Sequence, residues 1–331
     1  DKEWEWVTEF QKQTGLTVTL IATTAPAYEN GKMYKLAEQA RKEGREIRPQ
    51  AAGRPTGILH GLQSSFHAFV GHPTWRTELA ELEHNELVTC MLDPSVKAQI
   101  LSEESLITSG PMHNLSALMA KVFVLGENPN YEPGPEDSIT GIAQQQGLDP
   151  MEVMYDLLVA NDGKELFYQP LGGYQGYSLE GQKRLLEHPN VLFGLSDGGA
   201  HCGVIADAGM PTFIMTHWGR DRTKGKKMEL EFIVESLTSK TAEAYGMFDR
   251  GQIKEGLIAD MNIIDFKELK LFRPEAIFDL PKGGRRLVQR AEGYDMTIKA
   301  GEVIFNKGNH TGALPGKLVR RSNEKRDRIA G

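Results

Sequence analysis

A short apolar run that ends in polar residues and glycines is the stretch of this chain best suited to chemistry. It reads Val-Leu-Phe-Gly-Leu-Ser-Asp-Gly-Gly-Ala-His over residues 191–201. Such a pattern is typical of a buried β-strand followed by a loop with unusual backbone angles, and α/β enzymes place their chemistry at that end of a strand. Asp197 is therefore a candidate catalytic residue. An Asp before a Gly is also typical of a turn or a helix cap, and both interpretations stay open.

A second candidate lies in a glycine-rich loop that follows a predicted strand at 46–50 and reaches Pro73. Loops of this length in a compact domain are usually functional or disordered. Arg54, near the start of the loop, has the fork of donors that binds a substrate carboxylate through two hydrogen bonds. The alternative is that Arg54 pairs with a nearby acid of the protein, which is the commoner fate of loop arginines.

Familiar catalytic and metal-binding motifs are absent from the sequence. It contains no His-x-His, His-Glu-x-x-His or Cys-x-x-Cys spacing, and its nine histidines are scattered. It also lacks a phosphate-binding loop, a strand-linked Gly-x-Gly-x-x-Gly and a Gly-x-Ser-x-Gly nucleophile elbow. If a metal is used, the pattern offers Asp197 and little else as a ligand.

The elements that must position these residues read as an α/β pattern. Strand, helix and strand at 15–24, 31–44 and 46–50 predict a βαβ unit. From Gly256 onward the sequence pattern changes to short predicted strands separated by turns, which predicts part of a small β-domain. Between them, helices are predicted at 75–104 (two, divided at Asp93-Pro94), 138–147, 149–160, 178–187, 229–237 and 239–245, and strands at 121–125 and 165–169.

Composition limits the function classes. A chain of 331 residues can hold one large domain and a small one. The net charge of −7 argues against a nucleic-acid partner. No apolar run approaches the ~20 residues of a membrane helix, and two cysteines make no disulfide framework. These features predict a cytoplasmic protein with no nucleic-acid or membrane partner.

Three runs of residues occur together in this chain: Gly-Leu-Ser-Asp-Gly-Gly-Ala-His at 194–201, Pro-Thr-Phe at 211–213 and His-Trp-Gly-Arg-Asp-Arg at 217–222. In combination they resemble the C-terminal part of the amidohydrolase superfamily, and specifically its N-acyl-D-amino-acid deacylase (D-aminoacylase-like) branch. Asp-Arg-Gly at 249–251, followed by Ala-Asp at 259–260, resembles a pattern that is widespread among amidohydrolases.

The resemblance implies a fold and an activity. The α/β fold would be the C-terminal part of a TIM-like (β/α)8 barrel with long loop insertions over 1–250, a segment of a small β-sandwich domain over 251–308 and a C-terminal tail over 309–331. The activity would be metal-dependent hydrolysis of a linear amide bond, the deacylation of an N-acyl-D-amino acid by water activated on one or two zinc ions. Asp197 maps onto the family's aspartate that serves as acid/base and is expected to bind the metal.

The resemblance also points to substrate contacts. The substrate would be a small N-acyl amino acid or a related amide. We expect Arg54 to hold its carboxylate and His201 to contact it near the metal. Gln50, Gln63 and Arg222 are weaker substrate-binding candidates, because each could equally fix the conformation of a loop.

The sequence departs from the family in its metal ligands. The family's His-x-His, its cysteine or modified lysine, and its further histidines have no counterparts in this chain. The chain also starts without methionine inside a predicted helix, so we expect the N-terminal half of the same enzyme as a partner; a homo-oligomer is a further alternative. A cyclic amide or ureide hydrolase of the same superfamily and a non-catalytic fragment or subunit stay open as alternative functions.

Overall fold

The structure is a computed structural model that describes residues 2–22, 32–109, 115–196, 198–199 and 201–319. Over these residues the chain has the mixed α/β architecture that the sequence predicts. No helix in these ranges is long and apolar enough to cross a membrane. The α-helices are α1 (Lys2–Thr14), α2 (Lys32–Lys42), α3 (His84–Met91), α4 (Pro94–Ser102), α5 (Leu115–Leu118), α6 (Ile139–Gln146), α7 (Pro150–Gly163), α8 (Glu180–Leu186), α9 (Met210–Phe213), α10 (Leu230–Leu237) and α11 (Ser239–Ala244). Two π-helical segments span Trp75–Leu79 and Ile214–Asp221.

The strands are short and occur in several sheets. They are β1 (Val18–Ile21), β2 (Ile47–Ala52), β3 (Gly57–His60), β4 (Phe123–Val124), β5 (Phe167–Pro170), β6 (Leu192–Gly194), β7 (Met261–Ile264), β8 (Lys270–Leu271), β9 (Glu275–Leu280), β10 (Gly284–Val288), β11 (Ala291–Glu292), β12 (Tyr294–Lys299), β13 (Glu302–Asn306) and β14 (Asn309–His310).

Side-chain caps fix the starts of three helices at positions that the sequence indicates. The Asp93 carboxylate accepts a hydrogen bond from Ser95 N at 2.8 Å, directly before a proline at the first position of α4. The Asp149 carboxylate does the same for Met151 N at the start of α7, and the Ser138 hydroxyl accepts from Gly141 N at 3.0 Å in the first turn of α6. Each cap satisfies a donor that the first helical turn leaves without a partner. The helix starts predicted at Asp93-Pro94, 138 and 149 are confirmed.

The sheet that carries the candidate site is parallel, with the strand order β1-β2-β6. Strand β2 pairs with β1 from Val18–Ile47 to Ile21–Gln50, and α2 makes the crossover between them. On its other side, β2 pairs with β6 from Gln50–Leu192 to Ala52–Gly194. The predicted βαβ unit is confirmed, and the strand that precedes Asp197 ends beside the end of β2.

A helical and antiparallel segment lies between β2 and β6 in the chain. Its sheet has the order β3-β5-β4 and is antiparallel throughout. The prediction of one loop from the end of the 46–50 strand to Pro73 is wrong for Gly57–His60, which forms β3. The physical reason is Gly57: a Cβ there would lie 2.5 Å from Gln169 O, so the missing side chain lets β5 approach closely.

The last part of the described chain is built from antiparallel strands. The largest sheet has the order β14-β13-β12-β7, and β9 pairs with β10 while β8 pairs with β11. Strands predicted within 257–265, 286–289, 296–299 and 302–305 are confirmed as strands.

Two hydrophobic clusters fill the interior. The first packs around the parallel sheet and the 210–218 helical segment, with Trp218 and Phe193 among its largest members. The second packs α3, α4, α6 and α7 around Phe69 and Tyr155. Burial of this much apolar surface is the main favourable contribution to folding.

The Asp-Arg-Gly and Ala-Asp motifs form an ionic cluster that ties the small β-strands to the preceding chain. Asp260 accepts hydrogen bonds from Lys299 Nζ at 2.8 Å, Ala300 N at 2.9 Å and Arg250 Nη1 at 2.8 Å. Arg250 also bonds Asp249. The cluster fastens the end of β12 to residues 249–260, so these motif residues have a structural role here.

A buried ion pair joins the 214–221 helical segment to the loop after β4. The Glu132 carboxylate accepts hydrogen bonds from Arg222 Nη2 at 2.9 Å, Arg222 Nε at 3.0 Å and Leu179 N at 3.0 Å. Burial opposes ionisation of Glu132, but the neighbouring His217 ring, the Arg222 guanidinium and the Leu179 amide hold its pKa at about 2. His217 Nε2 lies 3.6 Å from the carboxylate, outside hydrogen-bond distance.

Two buried histidines lie in and beside the β3 strand. His60 Nε2 lies 2.6 Å from Gln169 Oε1, and Phe69 N donates to His67 Nδ1 at 3.2 Å. Burial lowers the pKa of His60 to about 4, with the Gln169 hydrogen bond acting in the opposite direction. Burial, reinforced by the charges of His60, His72 and Arg285, lowers the pKa of His67 to about 3. Both rings are uncharged at neutral pH.

We predict that acid destabilises the chain between pH 8 and pH 5 through these two histidines. Their folded pKa values lie below the unfolded value of ~6.5, so the unfolded chain binds more protons as the pH falls through this window. The expected loss in free energy of unfolding is roughly 2 kcal/mol for each histidine between pH 8 and pH 5. Urea unfolding at a series of pH values measures it.

His60→Gln should flatten this pH dependence, whereas His310→Gln, at an exposed position, should leave it unchanged. The carboxylate of Glu132 does not contribute, because its depressed pKa affects stability only below the unfolded value of ~4.5. An unchanged slope in His60→Gln would contradict the assignment.

The buried Glu132–Arg222 ion pair should contribute more to stability than an exposed one. Glu132→Gln leaves the Arg222 charge, whose side chain is 0% exposed, without its two-pronged partner, and should cost about 3 kcal/mol in free energy of unfolding. The matched control is Glu275→Gln, which removes an ion pair to Arg290 whose side chains are 53% and 68% exposed and should cost less than about 1 kcal/mol. Chemical denaturation compares them, and equal losses would contradict the prediction.

Candidate active site

The loop after β6 has an unusual backbone. Leu195 and His201 adopt left-handed conformations with φ of 59° and 48°, and Gly199 has φ of 98°. For residues other than glycine such conformations cost about 1–3 kcal/mol each, and they occur where surrounding contacts over-determine the chain, often at active sites. Asp197, the principal catalytic candidate, lies outside the described residues, as does Ala200. The strained positions flank it on both sides.

The paired ends of β2 and β6 bring Gln50 to this loop. A Cβ on Gly194 would lie 2.6 Å from Gln50 Oε1, so the Gln50 carboxamide lies against the last residue of β6. Gln50 Nε2 also donates to the hydroxyl of Tyr245 at 2.9 Å. The predicted candidate Gln50 therefore lies against Gly194, which precedes Asp197 by three residues in the chain.

Main-chain hydrogen bonds hold the loop on its far side. Leu287 N donates to Cys202 O at 2.7 Å, Ser65 N to Gly203 O at 2.8 Å, and Leu59 N to Val204 O at 2.8 Å. The three donors come from β10, from the turn after β3 and from β3. Three successive carbonyl groups are thus fixed by three separate segments.

Arg54 lies beneath the end of the same loop. Its Nη2 donates to Ala206 O at 2.7 Å and to Asp207 Oδ1 at 3.1 Å. The guanidinium carbon is 4.2 Å from the centre of the Tyr131 ring, within cation–π range, and the residue is 3% exposed. Its donors face the protein, which favours pairing with a nearby acid over contact with a substrate carboxylate.

The remaining predicted residues have different surroundings. His201 is exposed, and its carbonyl accepts from Val204 N at 2.9 Å and Ile205 N at 3.0 Å, which closes the turn. Gln63 lines a separate cleft of 580 Å³ together with Phe272 and Arg273. Arg222 is engaged in the ion pair with Glu132. Gln50, Arg54 and His201 are thus brought to the loop, and Gln63 and Arg222 have other neighbours.

Sequence reasoning missed several residues that shape the loop. Tyr245, Asp207 and Ser65 act through positions that are distant in the chain, and their residue types give no signal. Gly203 gives a weak signal. A Cβ there would overlap Ser65 Oγ, so only a glycine allows this approach. The signal is weak because a lone glycine in a loop is common.

The sequence resemblance implies a zinc site, which needs several His, Cys, Asp or Glu side chains close together. Within the described ranges, no group of three or more His, Cys, Asp or Glu side chains is arranged to hold a metal ion. His60 and His67 are buried, and each ring has one nitrogen without a hydrogen-bond partner. Neither belongs to such a group. The described part of the chain does not by itself fit a zinc centre.

Comparisons with known proteins were made on the whole chain. The model of a family described as the amidohydrolase family matches residues 3–305. The search of curated proteins gave no match. Among solved structures, a D-aminoacylase studied for its binuclear metal centre is 16% identical with a TM-score of 0.46, over 93% of this chain and 51% of that one. An N-acyl-D-glutamate deacylase from Bordetella bronchiseptica, complexed with zinc and a phosphonate inhibitor, is 16% identical with a TM-score of 0.44, over 91% of this chain and 49% of that one.

The chain therefore spans about half the length of the solved structures that it matches. The family model, in contrast, covers almost the whole described chain, from α1 to β13. The family assignment made from the sequence motifs is confirmed. This chain belongs to the amidohydrolase family.

Proposed function

We propose that this chain supplies the acid/base part of a metal-dependent amidohydrolase that removes the acyl group from N-acyl-D-amino acids, with Asp197 as the proton-transferring carboxylate. The observation that carries the proposal is the loop after β6. Its left-handed residues Leu195 and His201 flank Asp197 in the chain, and it begins where two paired parallel strands end. Catalytic side chains of α/β enzymes lie at such strand ends.

In this proposal Asp197 moves one proton twice. It accepts a proton from water as the water oxygen bonds to the amide carbonyl carbon, and then donates it to the amide nitrogen. The carbon–nitrogen bond breaks, and the products are a carboxylic acid and the free amine of the amino acid. General acid–base catalysis of this kind contributes about 10²–10⁴-fold to the rate.

The metal requirement is part of the proposal and comes from the sequence resemblance. The described residues do not form a metal site, so the two proton transfers are assigned to Asp197 alone. We propose that a divalent metal, zinc by resemblance, binds beside Asp197 through further ligands outside the described residues, in the N-terminal half of the same enzyme. A bound metal would supply a nucleophile at neutral pH by lowering the pKa of water.

The proposal includes the domain arrangement. The parallel sheet β1-β2-β6 is interpreted as the C-terminal portion of a TIM-like barrel within residues 1–250, with the 53–191 segment as its long insertion. The antiparallel strands from β7 onward are interpreted as a segment of a small β-domain within 251–308, and 309–331 as a tail. The antiparallel order β13-β12-β7 within these residues supports the second interpretation, and β14 continues that sheet over the first two residues of the proposed tail.

Substrate contacts are proposed for the residues that the loop brings together. Gln50 lies against Gly194, and His201 is exposed beyond Asp197, so both could bind the amide or the carboxylate of an N-acyl amino acid. Gln63 lines a different cleft, and Arg222 is committed to Glu132.

The test is substitution of the carboxylate in the protein with its natural full length. Asp197→Asn keeps the size of the side chain but removes its proton-accepting oxygen. We expect kcat on N-acetyl-D-amino acids to fall by at least about 10²-fold, while zinc measured by mass spectrometry stays largely bound. Retained activity would reject the role of Asp197.

Matched measurements separate this function from its alternatives. Asp162→Asn, at an acid whose side chain is 86% exposed, should leave kcat unchanged. Turnover of hydantoins without turnover of N-acetyl-D-amino acids would instead identify a cyclic amide hydrolase. Absence of stoichiometric zinc together with absence of turnover would identify a non-catalytic protein.

A further inference from the structure

Residues 202–207, which we call the anchored loop, are held in place by a set of contacts that converge from distant parts of the chain. Its first three carbonyl groups accept main-chain hydrogen bonds from β10, the turn after β3, and β3, as described above. Its last two residues are held by one side chain, Arg54, through Ala206 O and Asp207 Oδ1. Arg54 is the one side-chain donor among these five hydrogen bonds.

The Arg54–Asp207 pair is buried. Arg54 is 3% exposed, and the side chain of Asp207 is 13% exposed. The Tyr131 ring covers one face of the guanidinium at 4.2 Å. Arg54 Nε is shielded from solvent and has no hydrogen-bond partner, so the cation depends on Ala206 O, Asp207 and the ring for compensation of its lost hydration.

We propose that Arg54 is a positioning residue of the active site, which fixes the anchored loop and through it the strained turn that holds Asp197 and His201. The role of that turn in catalysis rests on the proposed function; the fixing of the loop by Arg54 does not. A substrate carboxylate would have to displace Asp207 and the Tyr131 ring to reach the guanidinium. Arg54 therefore acts on the substrate through the loop and not by contact.

The left-handed turn explains why such anchoring is needed. Leu195 and His201 adopt backbone angles that residues other than glycine leave when surrounding contacts allow it. Val204 N and Ile205 N both donate to His201 O, so the anchored loop directly closes the turn at His201. Loosening Ala206 and Asp207 would free this turn to relax.

Hydrogen exchange of backbone amides, followed by mass spectrometry on the whole chain, tests the proposal without an activity assay. The key variant is the double substitution Arg54→Met with Asp207→Asn, which removes both charges and leaves none unpaired. Amides of residues 195–206, which include Val204 and Ile205, should exchange at least about tenfold faster than in the parent. Amides of α6 and α7, in the second hydrophobic cluster, should keep their parental rates.

Two comparisons make the result specific. Arg54→Met alone removes the cation that pairs with the Asp207 carboxylate and should lower the melting temperature; the double variant should recover most of that loss but not the slow exchange of the loop. Arg48→Met removes an arginine of β2 that pairs locally with Glu46, and should leave the exchange of the loop unchanged. Parental loop exchange in the double variant, or exchange that rises equally in α6 and α7, would overturn the proposal.

A kinetic arm distinguishes positioning from direct binding in the active full-length enzyme. Arg54→Lys retains the charge but loses the planar fork. Positioning predicts that kcat falls by about tenfold or more while KM changes little, because orientation of the reacting groups is lost. A raised KM with unchanged kcat would overturn positioning and assign Arg54 to the substrate carboxylate. If Asp197→Asn retained activity, the proposed function would fail while the exchange result would still decide the role of Arg54 in the loop.

Discussion

The parallel pairing of β2 with β6 is the constraint on which the candidate site depends. Residues about 140 positions apart in the chain meet in register from Gln50–Leu192 to Ala52–Gly194. Parallel strands end at the same edge of a sheet, so the loop that begins at Gly53 and the loop that contains Asp197 must leave the sheet side by side. Arg54 is two residues past β2 and reaches Ala206 for this reason. A slip of one residue would turn Gln50 to the other face of the sheet and remove its contact with Gly194.

The helical and antiparallel segment between β2 and β6 also supports the loop that follows β6. It builds its own hydrophobic cluster around Phe69 and Tyr155, and it also returns β3 and the following turn to the anchored loop, where Leu59 and Ser65 donate to Val204 and Gly203. The small antiparallel strands contribute a third support through Leu287. The loop is therefore a meeting point of three parts of the chain, and its conformation depends on how each of them folds.

The sequence predicts elements well where the signal is local. Asp93-Pro94 and Asp149-Pro150 mark helix starts because a capping carboxylate and a proline act within one turn. It fails where the cause is distant. Gly57–His60 reads as loop because only the approach of β5 makes it a strand. Arg54 stays open as a ligand or an ion-pair partner in the sequence, because Asp207 is 153 residues away in the chain. Asp197 is a prediction from its glycine neighbours and the family resemblance, whereas the residue types of Tyr245 and Ser65 give no signal.

The way in which the loop is anchored explains this asymmetry. Of the five hydrogen bonds that β3, the turn after it, β10 and Arg54 donate to the loop, three come from main-chain N–H groups. Every residue except proline supplies such a group, so the side-chain types of Leu59, Ser65 and Leu287 do not reveal the contact. The contacts restrict the residue type at two positions. Position 54 needs the guanidinium of an arginine, and position 203 needs a glycine because a Cβ there would collide with Ser65. A site built in this way can change its surface side chains without losing the backbone that presents them. The conformation of the loop is then specified by few side chains in the sequence and by many contacts in the fold.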